Sequence, residues 1–135
     1  MDTLVEAALR VRQRAYAPYS KHLVGAAIRD DAGKIYVGAN VENAAYPQGQ
    51  CAEASAIGAM VSSGGRRIVA IAVAGPGPHI CTPCGGCRQR IREFAAPHTQ
   101  VMVADPAGLQ RSFTIDELLP EAFGPENIEN IENNR

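Results

Sequence analysis

The chain has 135 residues, 46% hydrophobic and 20% charged, with 13 Lys+Arg against 14 Asp+Glu and a formal net charge of −1. That length suits one compact domain, and the apolar fraction excludes a disordered chain. The near-neutral balance gives no basic field for a phosphate backbone, so nucleic acid is not an expected partner and small ligands are.

Met1-Asp2-Thr3-Leu4-Val5-Glu6 carries acids where a signal peptide needs basic residues, and no stretch approaches membrane-spanning length, so a cytoplasmic chain without membrane contact is expected. Thr3-x-x-Glu6 reads as a capping box, and Leu4, Ala8, Val11 and Ala15 recur at helical spacing until Pro18, which predicts a first helix. His22 to Arg29 and Lys34 to Val41 read as two strands of a hairpin around the turn chemistry of Asp30-Asp31-Ala32-Gly33. Cys51 to Val61 predicts a second helix, ended by Ser62-Ser63-Gly64-Gly65. The near-continuous apolar run Ile68 to Ala74 predicts a buried strand that stops at Gly75-Pro76-Gly77-Pro78. After Pro83 a third helix is expected from Cys84 to Phe94, then the short strand Val101-Met102-Val103 and a further extended region around Ser112-Phe113. Thr114-x-x-Glu117 caps a last short helix. A single domain over residues 1–125 is expected, with a polar tail over 126–135 that frays or docks on a partner subunit. A hairpin followed by helix, strand, helix and strand implies a mixed sheet of about five strands in a three-layer α/β/α sandwich.

In a reducing compartment, four cysteines point to metal ligands or catalytic thiols rather than disulfides. Cys84-Gly85-Gly86-Cys87 opens one predicted helix and Cys51 opens another, so three soft ligands can converge. Zinc suits thiolates, and a catalytic zinc takes three protein ligands and leaves a fourth position for water. Unpaired N–H groups at helix starts favour the thiolates that metal binding needs. By itself Cys84-x-x-Cys87 is equally a redox pair or half of a structural zinc site completed by Cys81 or His79. Glu53, two residues after Cys51, brings a carboxylate to the same helix start. Asn40 and Glu42 alternate with Val41 at strand spacing, which places them on one face, able to hydrogen-bond a sugar hydroxyl together.

Cys51-Ala52-Glu53 with Pro83-Cys84-Gly85-Gly86-Cys87 matches the zinc deaminase signature in its three-cysteine form. Further motifs in order make the chain resemble the homotetrameric cytidine deaminase family along nearly its whole length. They are Tyr16-Ala17-Pro18-Tyr19-Ser20-Lys21 before Val24-Gly25-Ala26-Ala27, Asn40-Val41-Glu42-Asn43-Ala44, Arg88-Gln89 after the second cysteine pair, and Leu118-Leu119-Pro120-Glu121-Ala122-Phe123. The resemblance implies that Cys51, Cys84 and Cys87 hold Zn²⁺ and that Glu53 shuttles protons while water attacks C4 of cytosine, giving uridine and ammonia from cytidine and deoxycytidine. It implies a role in pyrimidine salvage. It also assigns Asn40 and Glu42 to the ribose, counts Ala52 and His22 among substrate contacts, puts Tyr46 in reach of a neighbouring subunit's site and Phe123 near the base.

Three departures stand out. The family usually follows Cys-Ala-Glu with Arg, which offsets the charge of three thiolates, whereas this chain has Ala54, so Arg88, Gln89 or a helix N-terminus is expected to compensate. His22 stands where the family generally has Phe. Gln48 and Gln50 stand where it tends to be apolar, and near the pocket they could read a different ring or sugar substituent. Two rivals follow: a deaminase of a modified cytosine nucleoside, as in blasticidin S deaminase, or of another aminated heterocycle, and a non-catalytic zinc-stabilised binding protein in which Cys81 closes a four-cysteine site.

Overall fold

The computed structural model describes residues 2–133, and the backbone alone for 130–133. In chain order the elements are α1 (Thr3–Arg12), β1 (Gly25–Asp30), β2 (Ile35–Ala39), α2 (Ala52–Ser62), β3 (Ile68–Ala74), α3 (Gly85–Phe94), β4 (Ala95–Asp105), β5 (Gly108–Thr114), α4 (Ile115–Leu118) and α5 (Pro125–Asn133). The five strands form one sheet in the order β2-β1-β3-β4-β5. β3 and β4 are parallel and the other neighbours antiparallel, which gives the mixed sheet expected from the sequence.

The two faces of the sheet carry different side chains because different numbers of helices cover them. Ala26, Ile28, Ile71, Val73 and Val101 pack beneath α2, α3 and α4 with Ala52, Ala56, Ile57, Met60, Ile91 and Ile115. On the other face Ala27, Ala70, Ala72, Ala74 and Ala104 meet Leu4, Val5 and Ala8 of α1, small residues that let one helix lie close to the strands. The outcome is the three-layer α/β/α sandwich.

Two glycines bring the layers together at the hairpin. A Cβ on Gly25 would stand 2.2 Å from the Ala8 carbonyl oxygen in α1, and one on Gly38 would stand 2.3 Å from the Ala56 backbone nitrogen in α2. The hairpin is therefore gripped from both faces. Its turn follows the Asp30–Gly33 expectation: the Asp30 carboxylate accepts from the N–H groups of Ala32 and Lys34 at 3.0 and 2.9 Å, and Gly33 takes φ +84°.

Several boundaries differ from expectation. The cap of α1 is Asp2, whose carboxylate accepts from Leu4 N–H at 2.7 Å, so Thr3 is already helical and no Thr3–Glu6 box forms. The helix ends at Arg12, short of Ala15. β4 runs from Ala95, well before Val101, and pairs with β5 through a turn in which Asp105 accepts from Ala107 N–H at 2.9 Å. The Thr114–Glu117 capping box is present, with Thr114 N–H donating to Glu117 at 2.8 Å. Most of the segment expected as a polar tail is helical, tied to α3 by an Arg92–Glu126 ion pair, and residues 134–135 lie outside the described residues.

Candidate active site

Two helix starts build the centre of the site. Cys51 caps α2 and Cys84 caps α3, both with extended backbone, while Cys87 lies in the first turn of α3 and is fully buried. The three sulfur atoms lie within 4.8 Å of one another, with Cys51 Sγ 4.0 Å from Cys84 Sγ. A tetrahedral zinc with Zn–S bonds of about 2.3 Å needs sulfurs roughly 3.8 Å apart, so this donor set fits zinc with modest closure. Among the described residues it is the group able to hold a metal, and Cys81 and His79 stand outside it.

Glu53 follows in α2, only 4% exposed. Burial pushes its carboxyl above the ordinary range, while its own backbone N–H and the Arg90 charge draw it back. The thiols differ in the same way. Burial raises Cys51 and Cys87, and the Cys87 backbone N–H lowers Cys84. A cavity of about 290 Å³ opens over these groups, lined by His22, Val24, Asn40, Ala52, Glu53 and Cys81 together with Thr82, Cys51 and Cys84. It offers a buried acid–base group, a metal-binding trio and a mixed polar and apolar wall in one small space.

Asn40 reaches this cavity from just past β2, with its amide held at both ends: Oδ1 accepts from Val24 N–H and Nδ2 donates to the His22 carbonyl, each at 2.9 Å. Glu42 does not join it there. It lines a neighbouring depression with Tyr19, Ser20, Asn43, Tyr46 and Gly49, so the two residues expected to act together on one hydroxyl face different spaces. Glu42 instead accepts from the N–H groups of Tyr19 and Ser20 at 2.9 and 3.1 Å and from the Ser20 hydroxyl, and that hydroxyl in first place holds its carboxyl below the usual range.

Tyr46 is 77% exposed and packs edge-on to Tyr19 with ring centroids 6.2 Å apart. Phe123 is 57% exposed beside α5 and does not line the cavity of its own chain. Gln48 and Gln50 also lie outside the cavity: the first belongs to a single 3-10 turn, and the second pairs with the Val41 backbone and lies 3.3 Å from Ser55 Oγ.

Of the expected charge compensators, the N-termini of α2 and α3 lie at Cys51 and Cys84, whereas the two side chains are engaged elsewhere. Arg88 donates to the carbonyls of Pro83 and Leu118 at 2.7 and 2.8 Å and to Thr82 Oγ1 at 3.1 Å, and Gln89 donates to the Phe123 carbonyl at 2.7 Å. The residue in contact with a thiol is Arg90, whose Nη1 lies 3.6 Å from Cys87 Sγ. Sequence reasoning missed it, although three positions after Cys87 on one helix is a spacing that makes neighbours.

Residues 1–103 match the family model described as the cytidine and deoxycytidylate deaminase zinc-binding region. A cytidine deaminase of Halalkalibacterium halodurans is 40% identical over 125 residues, 93% of this chain and 95% of that protein. One of Sporosarcina psychrophila is 39% identical over 128 residues, 95% of this chain and 94% of that protein. The fold is also that of a crystal structure of cytidine deaminase from Burkholderia pseudomallei, with a TM-score of 0.85 and 41% identity over 91% of this chain and 100% of that one.

Proposed function

The chain belongs to the cytidine deaminase family, and from that membership we propose that it hydrolyses cytidine to uridine and ammonia in the cavity above Cys51, Cys84 and Cys87. The carrying observation is the convergence of three thiols within 4.8 Å and the buried Glu53 carboxyl on one cavity. The three cysteines hold zinc as thiolates, favoured by the N-termini of α2 and α3. When bound, zinc supplies a hydroxide at neutral pH by lowering the pKa of a water towards about 7.

Glu53 accepts the proton that the water gives up and delivers it to N3 of the ring; it then takes the remaining hydroxyl proton of the C4 adduct and passes it to the amine as the C4–N bond breaks. Burial suits it to this work. A carboxyl raised above its ordinary range by burial holds a proton more readily than an exposed one, and its side chain is almost fully shielded from bulk solvent. Asn40 has one Nδ2 hydrogen committed to His22 and a second for a sugar hydroxyl. Ala52 and His22 line the same cavity as Glu53 and contact the substrate there.

The same reading includes deoxycytidine as a substrate, a place in pyrimidine salvage, a cytoplasmic location and a homotetramer built from one zinc domain over residues 1–125, with 126–135 as an appended segment. Exposed Tyr46 and Phe123, both away from their own chain's cavity, support the tetramer, in which they serve a neighbouring subunit's site. Glu42 positions the Tyr19–Ser20 loop and contributes to the ribose site from the adjoining depression. The neutral overall charge and the small cavity suit a free nucleoside better than a nucleic acid strand. No helix among the described residues is long and apolar enough to cross a membrane.

The test is the ultraviolet change of cytidine with purified protein, run beside Glu53→Gln with zinc measured in both. Wild type should carry about one zinc per chain and convert cytidine, and Glu53→Gln should keep zinc and lose at least about 10²-fold in turnover. A zinc-free wild type that still converts cytidine, or a zinc-loaded one inert towards cytidine and deoxycytidine, overturns the reading.

A further inference from the structure

Three thiolates on a divalent ion leave one net negative charge in the centre, and the arginine that the family usually places after Cys-Ala-Glu is Ala54 here. That surplus weakens the ion as a Lewis acid and makes each thiolate easier to protonate, so a centre of this kind needs a nearby cation. We propose that Arg90 is the positioning residue that offsets this charge through Cys87, replacing from α3 the arginine absent from α2. The inference rests on the zinc site proposed above.

Geometry carries it. Arg90 lies three residues after Cys87, on the same face of α3, and its Nη1 reaches to 3.6 Å from the sulfur. Gly86 keeps the path open, since a Cβ at that position would stand 3.2 Å from Arg90 Nη1. Neither of the neighbouring arginines of α3 takes this role: Arg88 donates its N–H groups to Pro83, Leu118 and Thr82, and Arg92 pairs with Glu126 and the Ala95 carbonyl. Among the described residues no carboxylate forms an ion pair with Arg90, which leaves its Nη1 at the sulfur while its charge also reaches the Glu53 carboxyl. A guanidinium remains charged at every pH at which a protein is folded, and thus the compensation does not titrate away.

Cys87 is also the ligand that most needs such a partner. It is fully buried, whereas the sulfurs of Cys51 and Cys84 belong to exposed residues at helix starts and have solvent nearby. Moving the cation from residue 54 to residue 90 therefore shifts compensation onto the ligand farthest from water. The change also frees the start of α2, where Ala54 leaves the helix side beside Glu53 without a charge of its own.

The experiment compares purified zinc-loaded wild type, Arg90→Gln, Arg90→Lys and the double variant Arg90→Gln/Ala54→Arg. Zinc release to an excess of chromogenic chelator is followed with the acidic limb of the kcat profile. Arg90→Gln should release zinc about tenfold faster, and its acidic limb should move to higher pH, while Arg90→Lys should stay within about threefold of wild type. The double variant should recover most of both effects because it returns a guanidinium to the centre from the other helix. If Arg90→Gln fails to fold and the double variant folds and holds zinc, the charge role stands. Release and pH limb unchanged in Arg90→Gln, changes that Ala54→Arg does not reverse, or a double variant that also fails to fold would overturn it. Wild type purified without zinc removes the metal reading itself, a result distinct from all of these.

Discussion

Cys81 Sγ lies 3.7 Å from His22 Nε2 at the wall of the active-site cavity, so the thiol turns towards the imidazole and not into the cluster of three sulfurs. Gly75 makes room for it, since a Cβ there would stand 2.5 Å from Cys81 Cβ. Cys81→Ser should accordingly leave zinc at one per chain and alter release to a chelator by less than about threefold, because replacing a side chain outside the ligand set removes no metal bond. Elemental analysis and chelator kinetics decide it. A variant that loses its zinc would establish a four-cysteine site closed to water.

The close approach of α2 to β2 at Gly38 gives a second expectation. A methyl group there meets the α2 backbone at Ala56, which cannot yield as a flexible side chain can. Gly38→Ala should cost about 2–3 kcal/mol or more in urea unfolding and should also lower zinc content, since α2 carries Cys51 and Glu53. Gly58→Ala is the control on the same helix: a Cβ there meets nothing within 4 Å, and a better helix former should leave stability equal or slightly raised.

Arg88 spans from the loop before α3 to the end of α4, with three donated hydrogen bonds to Pro83, Thr82 and Leu118. Removing the guanidinium strands two carbonyls that are partly buried. Arg88→Ala should lose about 2–4 kcal/mol, a drop in Tm on the order of 10 °C, and calorimetry on the zinc-loaded protein measures it. A change under about 1 kcal/mol would mean that water replaces the guanidinium at both carbonyls.

Glu42 sets an acid limit. Its carboxyl is held below the ordinary range, first by the Ser20 hydroxyl and then by backbone N–H groups, so the folded chain binds this proton less readily than the unfolded one. Its contribution is complete above the unfolded value near about 4.3 and fades as pH falls through the lower folded value. Glu42→Gln, which cannot titrate, should lose less stability than wild type between about pH 5 and pH 3, with denaturant midpoints as the measure. Parallel pH curves for the two proteins would show that the loop contacts do not favour the charged form.

The parts of the site legible from sequence are those whose chemistry and spacing lie within a few residues of each other. Cys84-x-x-Cys87 and Cys51-x-Glu53 declare soft ligands and a carboxylate at helix starts, and the structure draws those thiols together. Arg90 is not marked by any motif next to Cys87; helical spacing, which brings forward the residue one turn on, is what carries it to the sulfur. Asn40 and Glu42 read as partners on a strand face; β2 ends at Ala39, extended backbone continues through the bridges of Val41 to Tyr16 and Gln50, and the two side chains line different depressions. Phe123 could not be placed by any local pattern, since its surroundings come from α3 and α5.

The fold was legible wherever one period ran without interruption, as in β3 and α2. Of β4 the sequence shows only the apolar run Val101-Met102-Val103, since Pro97 is a poor residue for a strand interior. The ladder with β3 slips between Ile68↔Ala95 and Ala70↔Gln100, so the proline sits in an irregular stretch where no ladder N–H is required. The Asp105-Pro106-Ala107-Gly108 turn carried its own signal for the β4–β5 hairpin, with Gly108 at φ +119°. Helix α5 was hidden by a run of Asn and Glu that looks like solvated tail, and Pro125 at its first position is the mark that begins it.

The metal centre is drawn unevenly from the chain: Cys84 and Cys87 are joined by one turn of α3, and Cys51 arrives from 33 residues away on another helix. An unfolded chain can grip an ion with the near pair, but closing the long segment to add the third ligand costs entropy that the assembled sheet has already met. Full coordination is thus a late event in folding, and it ratifies a finished core. Zinc supply then governs more than the active fraction. A chain starved of metal would lose part of its protection against unfolding and proteolysis, so its abundance would follow the ion as closely as its turnover does.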